Sequence, residues 1–216
     1  MTEIALTELT DVVLRSISVG SMDNNVYLLT SRRSGAQVLI DAAADAPAIG
    51  ELLASAAGDS PTAPHPVLIV TTHRHHDHVG ALAEVAGTTG ARTAAGREDA
   101  PALPVPTAVL LDHGDVGDFD GFVLEAIALR GHTPGSVALL LRDPDGPDHL
   151  FSGDSLFPGG VGRTTSPEDF RSLYRDVVER VFDVLDDDTV VHPGHGASTT
   201  LGAERPRLPE WEQRGW

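Results

Sequence analysis

The sequence predicts an α+β chain made of two packed mixed β-sheets with helices on their outer faces. Three observations lead there. Short apolar, β-branched runs recur along the whole chain, as buried strands do. Alanine-rich or amphipathic helical patterns lie between some of them. The runs fall into two clusters, one before about residue 110 and one after residue 121. Each cluster mixes strands with helices, so that helices can cover a sheet in both. The 216 residues are read as a single domain, 1–216, with internal halves of about 1–120 and 121–216. A chain of this length hides most of its unfolded surface, so a sizeable core is available.

Taken in order, strands are predicted over Val12–Ser18, Asn25–Leu29 and Gln37–Ile40, where apolar residues dominate. A helix follows over Ala46–Ala57, Ala-rich with periodic Ile and Leu. Val67–Thr71 reads as a buried strand and His78–Thr88 as a helix. Pro101 to Pro106 is a stiff loop. The second half opens with strands over Phe122–Leu129, Val137–Leu141 and Leu150–Phe151. The clearest helix runs from about Pro167 to Leu185. Ser166 suits its N-cap, Pro167 its first turn, and Glu168 and Asp169 the positive end of its dipole. Phe170, Leu173, Tyr174, Val177, Val178, Val181, Phe182 and Leu185 then fall on one stripe that faces a sheet. A last strand is expected over Thr189–Val191. Trp211 and Trp216 are expected to pack the C-terminal segment onto the body.

Charge and composition exclude several classes of function. Fifteen basic residues, all Arg, stand against 32 acidic ones, for a net charge of −17. A nucleic-acid partner needs clustered positive charge, and an anionic membrane surface does too. Neither is expected. No apolar run approaches the ~20 residues of a spanning helix. Cysteine is absent, which excludes disulfides, thiolate metal sites and a Cys nucleophile. The N-terminal MTEIALTELT lacks the basic and apolar regions of a signal peptide, so a cytoplasmic location is expected. The expected partner is a small-molecule substrate, and the chain a monomer or homodimer.

The chemistry concentrates where strand Val67–Thr71 ends. Within the next residues come His73, His75, Asp77 and His78. Neutral imidazole and carboxylate are the ligands that a zinc-like divalent ion takes. A strand-to-helix loop can aim neighbouring side chains to opposite sides, so one segment can serve two ions. His76 breaks the spacing and is left out. Three further segments place a ligand at a strand end among glycines: Gly131-His-Thr-Pro-Gly-Ser136, Phe151-Ser-Gly-Asp-Ser-Leu-Phe157 and Val191-His-Pro-Gly-His-Gly196. The last holds two rivals, His192 and His195. His65, His113 and His149 fall outside any motif and are expected on the surface. No Ser sits in a G-x-S-x-G elbow, so an activated water is the economical nucleophile.

Together these segments resemble the metallo-β-lactamase-fold hydrolases, and most closely the small, single-domain members of the glyoxalase II (hydroxyacylglutathione hydrolase) branch. The wording Gly-His-Thr-Pro-Gly-Ser and Ser-Gly-Asp-Ser-Leu-Phe is similar almost letter for letter. Gly162-Arg163 and Thr199-Thr-Leu-Gly202 are similar too, and the likeness spans about residues 12–203. It implies a four-layer αβ/βα sandwich and two divalent metal ions, zinc first, with iron or manganese compatible. It implies His73, His75 and His132 on the first ion, Asp77, His78 and His195 on the second, and Asp154 bridging both. His195 rather than His192 occupies the family's position. The implied reaction is hydrolysis of a thioester by a metal-bound hydroxide. Asp77 would also accept the proton of that water as the catalytic carboxylate, and Arg163 would receive a substrate carboxylate.

The larger glyoxalase II enzymes hold glutathione with an added C-terminal helical region, whereas here 21 residues follow His195, none of them Lys. The Arg-only, Ala- and Asp-rich composition is similar to that of high-GC actinobacterial proteins. Those organisms use mycothiol, so a mycothiol or glutathione conjugate is the substrate class implied. Three other readings compete: a single-iron persulfide dioxygenase, a lactonase or β-lactamase, and a non-enzymatic metal-binding protein.

Overall fold

A computed structural model describes residues 3–215. Strands β1 (Ala5–Glu8), β2 (Val12–Val19), β3 (Asn24–Ser31), β4 (Ala36–Ile40), β5 (His65–Thr71), β6 (Arg92–Gly96) and β7 (Val109–Leu111) form one sheet, side by side in chain order. The first four pair antiparallel, and β4 to β7 pair parallel. Parallel neighbours need a crossover. Helices α1 (Ala46–Ala54) and α2 (Leu82–Thr89) supply two of them.

The chain then turns once, through residues 112–115, into a second sheet. It contains β8 (Val116–Asp118), β9 (Val123–Ala128), β10 (Val137–Leu141) and β11 (His149–Gly153). A short ribbon follows, β12 (Leu156–Phe157) with β13 (Gly160–Val161), and then α3 (Pro167–Val177). Strands β14 (Val190–Pro193) and β15 (Thr199–Thr200) return to the sheet, whose order is β15-β14-β11-β10-β9-β8. Helices α4 (Leu201–Glu204) and α5 (Leu208–Arg214) close the described chain.

Side-chain alternation along the strands stacks the layers. Val38, Ile40 and Val70 of the first sheet meet Leu124, Leu139 and Phe151 of the second. The opposite face of the first sheet, with Leu28, Leu39 and Ile69, is covered by Ile49 and Leu52 of α1 and Leu82 and Val85 of α2. On the far side of the second sheet, Phe170, Leu173 and Val177 of α3 cover Ile127, Leu150 and Val191. The result is the predicted four-layer αβ/βα sandwich.

Several elements differ from their predicted bounds. The helix expected from His78 begins at Leu82, because His76–His78 form a 3₁₀ turn and Gly80 runs against the backbone of Ala43. The first helix stops at Ala54, where the Ser55 hydroxyl donates to the carbonyl of Leu52 and ends the ladder. The helix expected to reach Leu185 is α-helical to Val177 and π-helical over Val178–Phe182. Widening the turn keeps Val181, Phe182 and Leu185 buried on the same side. Strand β6, Arg-Thr-Ala-Ala-Gly, was not predicted, since it carries little apolar bulk although four of its residues are buried.

His149 overturns its surface expectation. It is buried on β11, where its Nδ1 lies 2.9 Å from Nε2 of His192. Both positions are held by the pairing of β11 with β14. His65 and His113 are exposed. Trp211 is fully buried and meets the Phe182 ring edge-on at 6.2 Å between centroids, while Trp216 lies outside the described residues.

Candidate metal centre

Four loops at one end of the sandwich bring the predicted ligands together. The first leaves the C-terminal end of β5. Thr72 and His73 are buried there, His75 follows, and the 3₁₀ turn carries Asp77 and His78. His76, between them, turns its side chain out to 91% exposure. The loop between β9 and β10 brings His132, the turn after β11 brings Asp154, and the segment after β14 brings His195. Two of the four loops thus follow the parallel pair β11 and β14.

The side chains converge in the two predicted triads. Ligand atoms of His73, His75 and His132 lie within 4.8 Å of one another, and so do those of Asp77, His78 and His195. Asp154 stands between them. Its Oδ2 is 3.6 Å from His132 Nε2, 3.9 Å from His73 Nε2 and 3.5 Å from His195 Nε2, and its Oδ1 is 3.4 Å from His78 Nε2. His192 lies in neither triad. It stacks on Phe151 and its Nδ1 faces the Ser198 hydroxyl at 3.1 Å.

Hydrogen bonding of the rings fits this set to divalent cations. Nδ1 of His132 donates to the carbonyl of Arg163 at 2.7 Å, and Nδ1 of His195 to the carbonyl of Met22 at 2.8 Å. Nδ1 of His78 donates to Asp41 at 2.9 Å. Such bonds fix the tautomer and leave the Nε2 lone pairs aimed inward. Nε2 of His78 and His195 face each other at 3.1 Å, an approach that a shared proton or a cation between them relieves. Nε2 of His73, Nε2 of His132 and Oδ1 of Asp154 are buried without any hydrogen-bond partner. Buried polar atoms are rarely left so, because each costs its desolvation. Five imidazoles and two carboxylates, with their free electron pairs converging, are the donor set of two zinc-like or iron-like ions.

The electrostatics have the same origin. Burial and the neighbouring His78 hold the His73 imidazole well below its usual range. Burial opposes ionisation of Asp154, but the adjacent His195 and His78 rings outweigh it and hold the carboxyl far below the usual carboxylate range. Asp77 is lowered against burial by its bond from Asn24 and by His78. His78 itself rises against burial to about 10, drawn up by Asp154 and Asp41.

Three residues of the site escaped the sequence reading. Asp41, at the end of β4, is 2% exposed and adopts φ 57°. Its carboxylate accepts from the Thr72 amide and hydroxyl, both at 2.7 Å, as well as from His78. A left-handed backbone is uncommon for a residue with a side chain and persists where its surroundings hold it. Asn24 donates to Asp77 Oδ2 at 2.9 Å. Asp99, fully buried, accepts from the amides of Arg74 at 3.1 Å and Gly135 at 2.9 Å and from the Thr133 hydroxyl. It therefore ties the His73–His78 loop to the His132 loop. Asp41 carries a usable signal, an Asp directly after an apolar strand. Asn24 and Asp99 carry none. Gly194 is needed for approach, since a Cβ there would overlap the Asp154 carboxylate and crowd the His78 ring.

Comparison with known proteins agrees with the architecture. Residues 19–195 match the model of the metallo-β-lactamase superfamily, so the chain belongs to that superfamily and is a metallohydrolase of its fold. It is 32% identical over 219 residues to an uncharacterized protein of Mycobacterium tuberculosis, covering 90% of this chain and 95% of that one. It is 33% identical over 176 residues to a hydroxyacylglutathione hydrolase of Rhodopseudomonas palustris, covering 80% of this chain but 62% of that enzyme. Among solved structures, TTHA1623 in a di-iron-bound form superposes with a TM-score of 0.69 at 29% identity, covering 88% of this chain and 96% of that one. Among the described residues no helix is long and apolar enough to cross a membrane.

Proposed function

We propose that this chain is a dinuclear metallohydrolase that cleaves a thioester of a low-molecular-weight thiol. The observation that carries this reading is the convergence of two ligand triads on Asp154, with buried ring nitrogens left unpartnered. We take His73, His75 and His132 as one ligand set, Asp77, His78 and His195 as the other, and Asp154 as shared. Because the loops supplying these ligands come from both sheets, we treat residues 1–216 as one functional domain. Two bound divalent ions supply Lewis acidity and a water ionised near neutral pH, and zinc is the first candidate.

The residues of the chain supply the rest. Asp77, oriented by Asn24, accepts the proton of the attacking water. The water oxygen joins the thioester carbonyl carbon, the carbon–sulfur bond breaks, and the thiol and a carboxylic acid are the products. A thiolate is a good leaving group, so no strong general acid is required. Arg163 is exposed, and its backbone carbonyl holds His132. Among the described residues its guanidinium has no hydrogen bond or ion pair, which leaves it available to a substrate carboxylate. The R. palustris relative supports the thioesterase class. This chain spans only 62% of that enzyme, and we assign it mycothiol as carrier on its Arg-only, Ala- and Asp-rich composition. The second triad favours two ions over the single-iron persulfide chemistry.

The test is elemental analysis of protein purified without added metal, with turnover measured on S-lactoyl thioesters of glutathione and of mycothiol. About two equivalents of metal with faster turnover of the mycothiol ester is expected. About one equivalent of iron, with oxygen uptake and no thioester cleavage, would overturn the reading.

A further inference from the structure

A cavity of about 620 Å³ opens between the two sheets, and none of the seven proposed metal ligands lines it. Its place follows from strand direction. Its lining includes His65 and Arg92, the first residues of the parallel strands β5 and β6, whereas the metal-binding loop leaves the last residue of β5. Seven residues of strand separate the two ends, roughly 20 Å. The walls are inward-facing core positions of both sheets, among them Leu68, Val70, Leu111, Leu124 and Leu139. The cavity opens to solvent at one end, where Arg92, Asp118 and Asp120 are exposed. A space of this volume between two apolar sheet faces is of the size that small ligands occupy.

Arg92 breaks the pattern of these walls. Leu68 and Arg92 are paired in register, as are Val70 and Ala94, which lie in the core between the sheets. Residues two apart on a strand share a face, so Arg92 stands on the inward face of its sheet. Among the described residues it has no hydrogen bond or ion pair. The other ionisable groups of the lining have contacts of their own, and three of them, Asp115, Asp118 and Asp120, are exposed carboxylates. Asp115 accepts from the Asp112 amide at 2.8 Å and Asp118 from the Asp120 amide at 2.9 Å, and Asp120 pairs with Arg33 at 3.4 Å. Nδ1 of His65 lies 3.2 Å from the carbonyl of Ala63.

We propose that the inter-sheet cavity is a second binding site, for a small monoanion with an apolar body, such as a medium-chain carboxylate, whose head group pairs with Arg92. The apolar walls take the chain of such a ligand, and a guanidinium is well matched to a carboxylate. Because this site lies away from the ligand loops, its occupancy and the chemistry of the metal centre are separable.

The test is calorimetric titration of the metal-loaded protein with decanoate and, separately, with 1-decanol. Decanoate binding is expected to weaken about tenfold or more in Arg92→Gln, with 1-decanol changed less than twofold. Ala126→Phe, which fills the cavity, should abolish both. If that variant does not fold, the Arg92→Gln comparison alone decides. Absence of decanoate binding to the unaltered protein would overturn the proposal. So would equal binding by Arg92→Gln, or binding that disappears when the metal is chelated, which would place decanoate at the metal centre. A dimer in light scattering that excludes decanoate by covering the cavity mouth would overturn it as well.

Discussion

Asp154 is the residue on which the proposed centre turns. Its carboxylate lies within 4 Å of ring nitrogens from both triads, and its Oδ1 is buried without a hydrogen bond. Asp154→Asn is expected to lower the metal content from about two equivalents to one or fewer, and thioester turnover by about a hundredfold or more, with circular dichroism unchanged. Unchanged metal content would remove Asp154 from the bridging role. The seven proposed ligand positions were legible in the sequence through a His- and Asp-rich run after one strand, three Gly-flanked strand ends, and the family resemblance that these segments carry. Asn24 and Asp99 were not, because each acts through a hydrogen bond to a partner more than 20 residues away, and local sequence does not encode such a partner.

The His149–His192 pair gives a pH dependence at the same scale. Burial, and then the neighbouring His149, pushes His192 down to about 3, and burial also lowers His149. Below about pH 6.5 the unfolded chain therefore binds more protons at these two rings than the folded protein does. Their contribution to stability is full above pH 6.5 and is lost as the pH falls toward 3. Urea unfolding at pH 7 and pH 4.5 should show a larger loss for the unaltered protein than for His149→Phe/His192→Phe. An equal loss would mean that neither ring is held neutral by the fold.

At the scale of elements, the amphipathic stripe from Phe170 to Leu185 was readable, but the change of helical pitch after Val177 was not. Periodicity averages over several turns, and a single widened turn keeps the same residues on the buried side. The short strands β6, β7 and β8 failed for another reason: β6 and β8 have few large apolar side chains, and β7, although Val-Leu-Leu, is only three residues long, too short for a pattern to register. The C-terminal helix shows how much one side chain can hold. Trp211 is the largest fully buried residue of α5 and anchors it against Phe182 and the outer core. Trp211→Ala is expected to destabilise the protein by about 3–5 kcal/mol, measured by denaturant unfolding. A loss below about 1 kcal/mol would show that α5 docks without it.

At the scale of the whole molecule, two packed sheets followed from helices and strands mixed in both halves, since each sheet must cover two faces. The turn at residues 112–115, where the chain passes between sheets, falls ahead of the boundary expected near residue 120. The reason is that β8 joins the second sheet. The ligands of the proposed centre come from both sides of this boundary. Removing the metal should therefore loosen the seam between the sheets. Chelation is expected to lower the melting temperature by several degrees, with zinc restoring it, since a ligand held only by the folded state stabilises that state. An unchanged melting temperature would show that the sandwich holds without help from the ions.

Each sheet is drawn from one unbroken stretch of chain, and the polypeptide passes between them at residues 112–115 alone among the strands described. In the first sheet every strand lies beside its neighbour in sequence. Pairings of this kind close short loops, so each half can assemble by itself during synthesis, before the other has left the ribosome. The proposed metal ligands then meet only when two prefolded leaves shut on each other, and the molecule is in effect a heterodimer whose subunits happen to share a backbone.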